Sequence, residues 1–137
     1  MKLINILSHN LLPEQITELT EMGYDTITHL REINPDLAGK VSNCPGDRAT
    51  LRGMAYDVAA LAIPDKDGDV ADLLVPGGSP AFMALLVRET DWRAEEKEER
   101  APKLLFAHSQ RESVEKTKED GTVEKMSVFR HRHFIQV

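Results

Sequence analysis

The stretch that decides the fold is Ala71–Arg88, ADLLVPGGSPAFMALLVR. It opens on the apolar run Ala71, Leu73, Leu74 and Val75, too brief to cross a membrane and closed by turn residues, which predicts a buried strand. Pro76, Gly77 and Gly78 break the run. Ser79 then stands as an N-cap, with Pro80 at the first helical position, where its missing N–H leaves no bond unmade. Ala81 to Val87 continue at helical spacing. Strand, glycine turn and helix start in succession bring free backbone N–H groups and the positive end of the helix dipole to one point, which suits an anion. The turn has neither GxGxxG nor GK[ST], so it is no nucleotide fingerprint, and a plain corner between strand and helix is the competing reading.

Working outward, Lys2 to Leu7 reads as a first strand, ending in Ser8, His9 and Asn10. Leu12, Ile16, Leu19 and Met22 recur at helical steps between Pro13 and Gly23, which predicts a helix over 13–22. Thr26 to Leu30 reads as a second strand, and residues 31–46, with Pro35 and Pro45, as a loop with at most one helical turn. Leu51, Met54, Ala55, Val58, Ala59 and Ala62 form one stripe, so Asp47 to Leu61 is the clearest helix, with Asp47 as its cap. Asp65, Asp67 and Asp69 hint at calcium, but the glycine falls too early and no closing glutamate follows, so a solvated turn is expected. Glu89 to Arg100 reads as an exposed connector, with a helix as one of its open conformations. Lys103 to Ala107 is a further buried strand, and Asp120-Gly121 signals a hairpin leading into the tail SVFRHRHFIQV.

The sum is a single domain over 1–137 of α/β class, a Rossmann-like three-layer sandwich with a C-terminal β-hairpin over about 110–137. Its length of 137 residues suffices for a core without disulfides or metal, and the lone Cys44 points to a reducing cytoplasm. Neither a signal peptide nor a membrane span is expected. A net charge of −6 argues against broad binding of long nucleic acids. From Pro102 onward, however, 7 Lys and Arg stand against 5 Asp and Glu. An anionic ligand would therefore be met by the C-terminal third.

Ligands of open α/β sheets sit at the carboxyl ends of the strands. There the sequence supplies three clusters: Ser8-His9-Asn10, Gly77-Gly78-Ser79 and His108-Ser109-Gln110-Arg111. They hold hydroxyls, imidazoles, an amide and a guanidinium but no carboxylate, a set that suits a phosphate and suits a divalent metal poorly. His131 and His133 alternate with Arg130 and Arg132, so the two histidines are expected on one strand face and the arginines on the other. Two histidines so placed can chelate a metal, but no third ligand is evident. A surface or partner-facing role is expected, with no cofactor.

Three segments, LINILSHNLLPEQITEL, ADLLVPGGSPAFMALLV and PKLLFAHSQRESVEKTKEDGTVEKMSVFRHRHFIQV, together resemble the small stand-alone CRISPR-associated ring nucleases of type III systems. The resemblance covers most of the chain and is weakest over Arg31–Asp69. It implies a CRISPR-associated Rossmann-like fold, a homodimer, and a cyclic oligoadenylate ligand, most often the tetramer. It also implies metal-independent cleavage that switches off antiviral signalling. Two turns depart from the family pattern: PGGSP stands where a Gln-Gly-Asp type is expected, and AHSQR where a Thr-Thr-x-Arg type is expected.

The chemistry has its own logic. RNA carries its nucleophile, the 2′-hydroxyl, so cleavage needs in-line positioning, charge stabilisation and proton transfer. The expected division gives the scissile phosphate to Arg111 and the N–H groups of Gly77, Gly78 and Ser79, and the proton to His9 or His108. Ser8, Asn10, Ser109 and Gln110 complete the ligand rim. The alternatives are a module that captures the messenger without cutting it, and an interaction protein that pairs through its C-terminal strand.

Overall fold

In the computed structural model, which describes residues 1–65, 68–76 and 78–137, the chain begins β1 (Lys2–Asn5), α1 (Pro13–Glu21), β2 (Thr26–His29), α2 (Leu30–Ile33), α3 (Pro35–Ser42) and α4 (Arg48–Ala62). It continues β3 (Ala71–Val75), α5 (Pro80–Lys97), β4 (Leu104–Thr117) and β5 (Val123–Gln136). The strands form one sheet in the order β2-β1-β3-β4-β5, parallel through β4, with β5 antiparallel to it. This mixed five-stranded α/β arrangement, with its C-terminal antiparallel hairpin, is compatible with a Rossmann-like fold.

Period-two alternation assigns each side chain to one of two cores. Leu3, Leu74 and Leu105 face α1, where they pack with Leu19, Tyr24 and Phe134. Ile4, Leu73, Val75 and Leu104 face the other way, against Leu37, Val58, Phe82 and Leu86 of α3, α4 and α5. The chain leaves β1 for β2 on one side and returns to β3 on the other. Right-handed crossovers then put α1 on one face and the later helices opposite. Strand order therefore reverses between β1 and β3, and the crevice at their carboxyl ends is where this architecture places ligands.

The central stretch folds as read. Ala71–Val75 is buried throughout, and Ser79 Oγ accepts the Phe82 N–H at 3.4 Å. Asp47 likewise caps α4, accepting the Thr50 N–H at 2.9 Å. Three expectations need correction. The segment 31–46 holds two helices rather than a loop, because Pro35 sits at a helix start, Asn34 Oδ1 accepts the Leu37 N–H, and Leu37 and Val41 are buried. Leu30 opens α2 instead of closing β2. Glu89–Lys97 is helical, but as the second half of α5 and not as an exposed connector, since Glu89, Thr90, Arg93 and Ala94 are buried. The polar residues there are partnered: Arg93 Nε donates to the Ile63 carbonyl at 2.5 Å and Arg52 Nε to Glu89 at 3.2 Å.

Helix α5 ends on Glu98 in the left-handed conformation, φ 54°. A side chain there is strained where glycine is not. Glu98→Gly should therefore stabilise the protein by about 1 kcal/mol, read as a higher midpoint in chemical denaturation.

At the other end of the sheet, Asp72 is fully buried in β3. Its carboxylate accepts from the Tyr24 hydroxyl at 2.7 Å, from Arg100 Nη1 at 2.7 Å and from the Lys103 N–H at 2.9 Å. Only Leu104–Phe106 of β4 pair with β3, so beyond that point β4 and β5 continue as a two-stranded ribbon. The predicted Asp-Gly turn closes it: Gly121, at φ 84°, donates to the Lys118 carbonyl at 3.0 Å. Among the described residues no helix is long and apolar enough to cross a membrane.

Candidate functional site

Beyond the last hydrogen-bonded residue of β1 the chain keeps alternating, and this divides the Ser8-His9-Asn10 cluster. Ser8 shares a pocket of about 180 Å³ with Gly78, Ser79 and Cys44, at the N-terminus of α5. His9 lines a larger cleft of about 450 Å³ on the α1 face, together with Gln15, Ser109, Phe129 and His131. Asn10 belongs to neither; it lies beside His29 and accepts a hydrogen bond from Arg31. Pro76 lines both cavities, so the pocket and the cleft adjoin at the reversal point between β1 and β3. Among the described residues no carboxylate lines either of them. Gly77, assigned to the same rim from the sequence, lies outside the described residues.

The third cluster is not a turn at a strand end. His108 to Arg111 lie inside β4, which runs on to Thr117 because β5 pairs with it along its length. Alternation therefore splits this cluster too. Ser109 and Arg111 face α1 and the cleft, whereas His108 and Gln110 face the other way. Arg111 is exposed at the rim of the cleft, its guanidinium carbon 4.9 Å from the centre of the Phe129 ring. His108 stacks on His133 with ring centres 5.0 Å apart, and Gln110 Oε1 accepts from Arg132 Nε at 3.0 Å.

The same strand corrects the expected histidine face. His108 pairs with His133 but Ser109 with His131, leaving Arg132 as an extra residue in a β-bulge. Paired residues share a face, so His131 and His133 lie on opposite faces, and Arg132 joins Arg130 over Glu112. Hydrogen bonds from Arg132, and then from Arg130, hold the Glu112 carboxyl below the usual range. The basic strand is thus partly neutralised from within.

In the cleft stand Gln15, which sequence reading passed over, and His131, which is not the surface residue expected of it. Gln15 is 4% exposed, and its Oε1 accepts the Leu12 N–H at 2.9 Å, closing the start of α1. Its spacing after Pro13 is a capping signal, but nothing local shows that it lines a cleft. The His131 side chain is also 4% exposed, with Nε2 at 2.7 Å from Glu18 Oε2; the other oxygen of Glu18 accepts the Phe134 N–H at 2.9 Å. This contact joins residues 113 positions apart, which no sequence window reveals. At the mouth of β1, buried Asn5 ties the crevice together, its Oδ1 accepting the Leu7 N–H and its Nδ2 lying 3.0 Å from His29 Nδ1.

Asp65 is taken by Arg93 and Lys97, each at 2.9 Å, and Asp67 lies outside the described residues. Among the described residues no three His, Cys, Asp or Glu side chains gather to hold an ion. No curated protein and no solved structure matches the chain. A family model matches residues 1–135, and the chain belongs to the family described as the Uncharacterized protein MJ1673 family.

Proposed function

We propose that this protein is a ring nuclease of the CRISPR-associated Rossmann-like type. It opens a cyclic oligoadenylate, with cyclic tetra-adenylate as the expected ring, by attack of the ribose 2′-hydroxyl on its own phosphodiester, and so switches off type III antiviral signalling. The observation that carries the reading is the carboxylate-free pair of cavities meeting at Pro76, where strand order reverses. Gly78, Ser79 and Ser8 supply a helix N-terminus and hydroxyls, the groups that hold a phosphate. His9 and Ser109 stand on the other side of Pro76, with Arg111 at the rim. His9 then moves the proton and Arg111 stabilises charge on the phosphoryl oxygens. His108, on the opposite strand face, is no longer assigned that proton. The reaction takes its nucleophile from the substrate and needs no metal. A two-fold homodimer would present each site twice to a ring of even symmetry.

The test is incubation of the purified protein with cyclic tetra-adenylate in EDTA, with products separated by chromatography. Linear fragments ending in a 2′,3′-cyclic phosphate are expected; an intact ring at high enzyme after long incubation would defeat the nuclease. One observation favours a second reading, capture without cleavage. Arg111 is stacked on Phe129, and Arg130 and Arg132 are paired with Glu112, so little unpaired positive charge faces a transition state. Tight binding of an uncut ring would select it.

A further inference from the structure

Just beyond the point where β4 leaves the sheet, two imidazoles meet on the face turned away from the α1 cleft. His108 and His133 are paired directly across β4 and β5, so the strand ladder holds their side chains next to each other. Their ring centres stand 5.0 Å apart, with the ring planes tilted by 45°. Neither ring makes a side-chain hydrogen bond among the described residues, and His133 is exposed while His108 is half-buried. Arg132, the bulge residue beside them, is turned to Gln110 and Glu112. Neither histidine has a task in the proposed cleavage. The separation decides what the pair can hold. An imidazole nitrogen binds zinc at about 2.0–2.1 Å, which puts the ring centre about 3.2 Å from the metal. Two such rings at a tetrahedral angle have centres about 5 Å apart, which is the spacing found between His108 and His133. Nitrogen donors favour Zn²⁺, Ni²⁺ or Cu²⁺ over Mg²⁺ and Ca²⁺, which take oxygen ligands.

We propose that His108 and His133 form a two-histidine site for a divalent d-block cation, with water at its remaining positions, and that the bound ion cross-links β4 to β5 at the root of the ribbon. Only Leu104–Phe106 of β4 pair with β3, so from there the ribbon stands as two strands. A two-stranded hairpin is marginal by itself in water, and a tie two residues past its last support steadies both strands. The ion stabilises the fold because the unfolded chain does not hold the two rings together. This site lies on the opposite strand face from the cleft that holds His9 and Ser109, so it is independent of the nuclease reading.

Thermal unfolding of the full chain is followed in zinc chloride, in magnesium chloride and in EDTA, and the imidazole signals are followed by NMR during a zinc titration. With zinc at ten times its dissociation constant the melting temperature should rise by about 5 °C, and magnesium should leave it where EDTA does. The ring signals of His108 and His133 should move together and stop at one ion per chain. His108→Gln and His133→Gln should each weaken zinc binding by about 10-fold or more while still folding in EDTA, since neither ring hydrogen-bonds to the protein. Zinc binding that leaves either ring signal unmoved, or that survives both substitutions, puts the ion elsewhere in the chain and overturns the site. No binding at millimolar zinc leaves a stacked aromatic pair only, and overturns it as well.

Discussion

Alanine at His9 should slow opening of cyclic tetra-adenylate about 100-fold or more, the usual loss when a positioned proton-transfer group is removed. His9 is exposed and makes no side-chain hydrogen bond among the described residues, so the melting temperature should not move. This separates a chemical role from a structural one. His108→Ala is the matched control: its ring faces away from the cleft and stacks on His133, so turnover should stay near wild type. Ring binding should survive in both variants, because the phosphate-holding groups belong to Ser8, Gly78 and Ser79. If His108→Ala is the slow variant and His9→Ala the active one, the assignment of the proton to the α1-face cleft is wrong.

The largest effect on stability should come from Asp72→Ala, about 3 kcal/mol, because two charge-assisted hydrogen bonds, one from a buried donor and one from a part-buried donor, are lost together. The Tyr24 hydroxyl and the Lys103 N–H lose their acceptor inside the protein, whereas Arg100, partly exposed, can turn to water. A fall in melting temperature of about 10 °C is expected for a domain of this size. Acid behaviour follows from the same residue. Burial pushes the Asp72 carboxyl up more than any other single influence. The hydrogen bonds from Arg100, Tyr24 and the Lys103 N–H together outweigh it and leave the carboxyl below its usual value. A group depressed on folding stabilises the protein above its unfolded pKa, near 3.9 for aspartate, and the contribution disappears as pH falls through the folded value. The wild-type protein should therefore lose stability steeply in strong acid, and Asp72→Asn should flatten that limb. Burial, then the hydrogen bond to Asp72, raises the Tyr24 hydroxyl instead. A group raised on folding contributes fully below its unfolded pKa, so stability should also fall as pH climbs beyond about 10, the ordinary tyrosine value. Denaturation midpoints across both ranges check the two limbs, and an Asp72→Asn protein as acid-sensitive as wild type would refute the first.

The elements were legible wherever a local signal was strong. The run Ala71–Val75, the Ser79-Pro80 start of α5, the Asp47 cap and the Asp120-Gly121 turn each act through neighbours within a few residues, and each is found in place. Residues 31–46 and 89–100 misread for the opposite reason. Their helices are held by burial of Leu37 and Val41, and by partners such as Ile63 for Arg93, that lie far away in the chain. A polar composition suggested a loop and a connector; packing overrode it.

The linear order of residues carries an inventory: an α/β alternation, a glycine turn feeding a capped helix, and a set of hydroxyls, imidazoles and amides gathered near strand ends. Which of these groups meet depends on how the strands pair and the helices pack. Side chains alternate along an extended backbone, so adjacent residues such as Ser8 and His9, or His108 and Ser109, leave for opposite faces. One extra residue, Arg132, puts the side chains on its two sides in β5 out of phase, so that His131 lies on the α1 face and meets Glu18. Pairing register and the bulge belong to contacts between distant strands, and a linear reading cannot carry them.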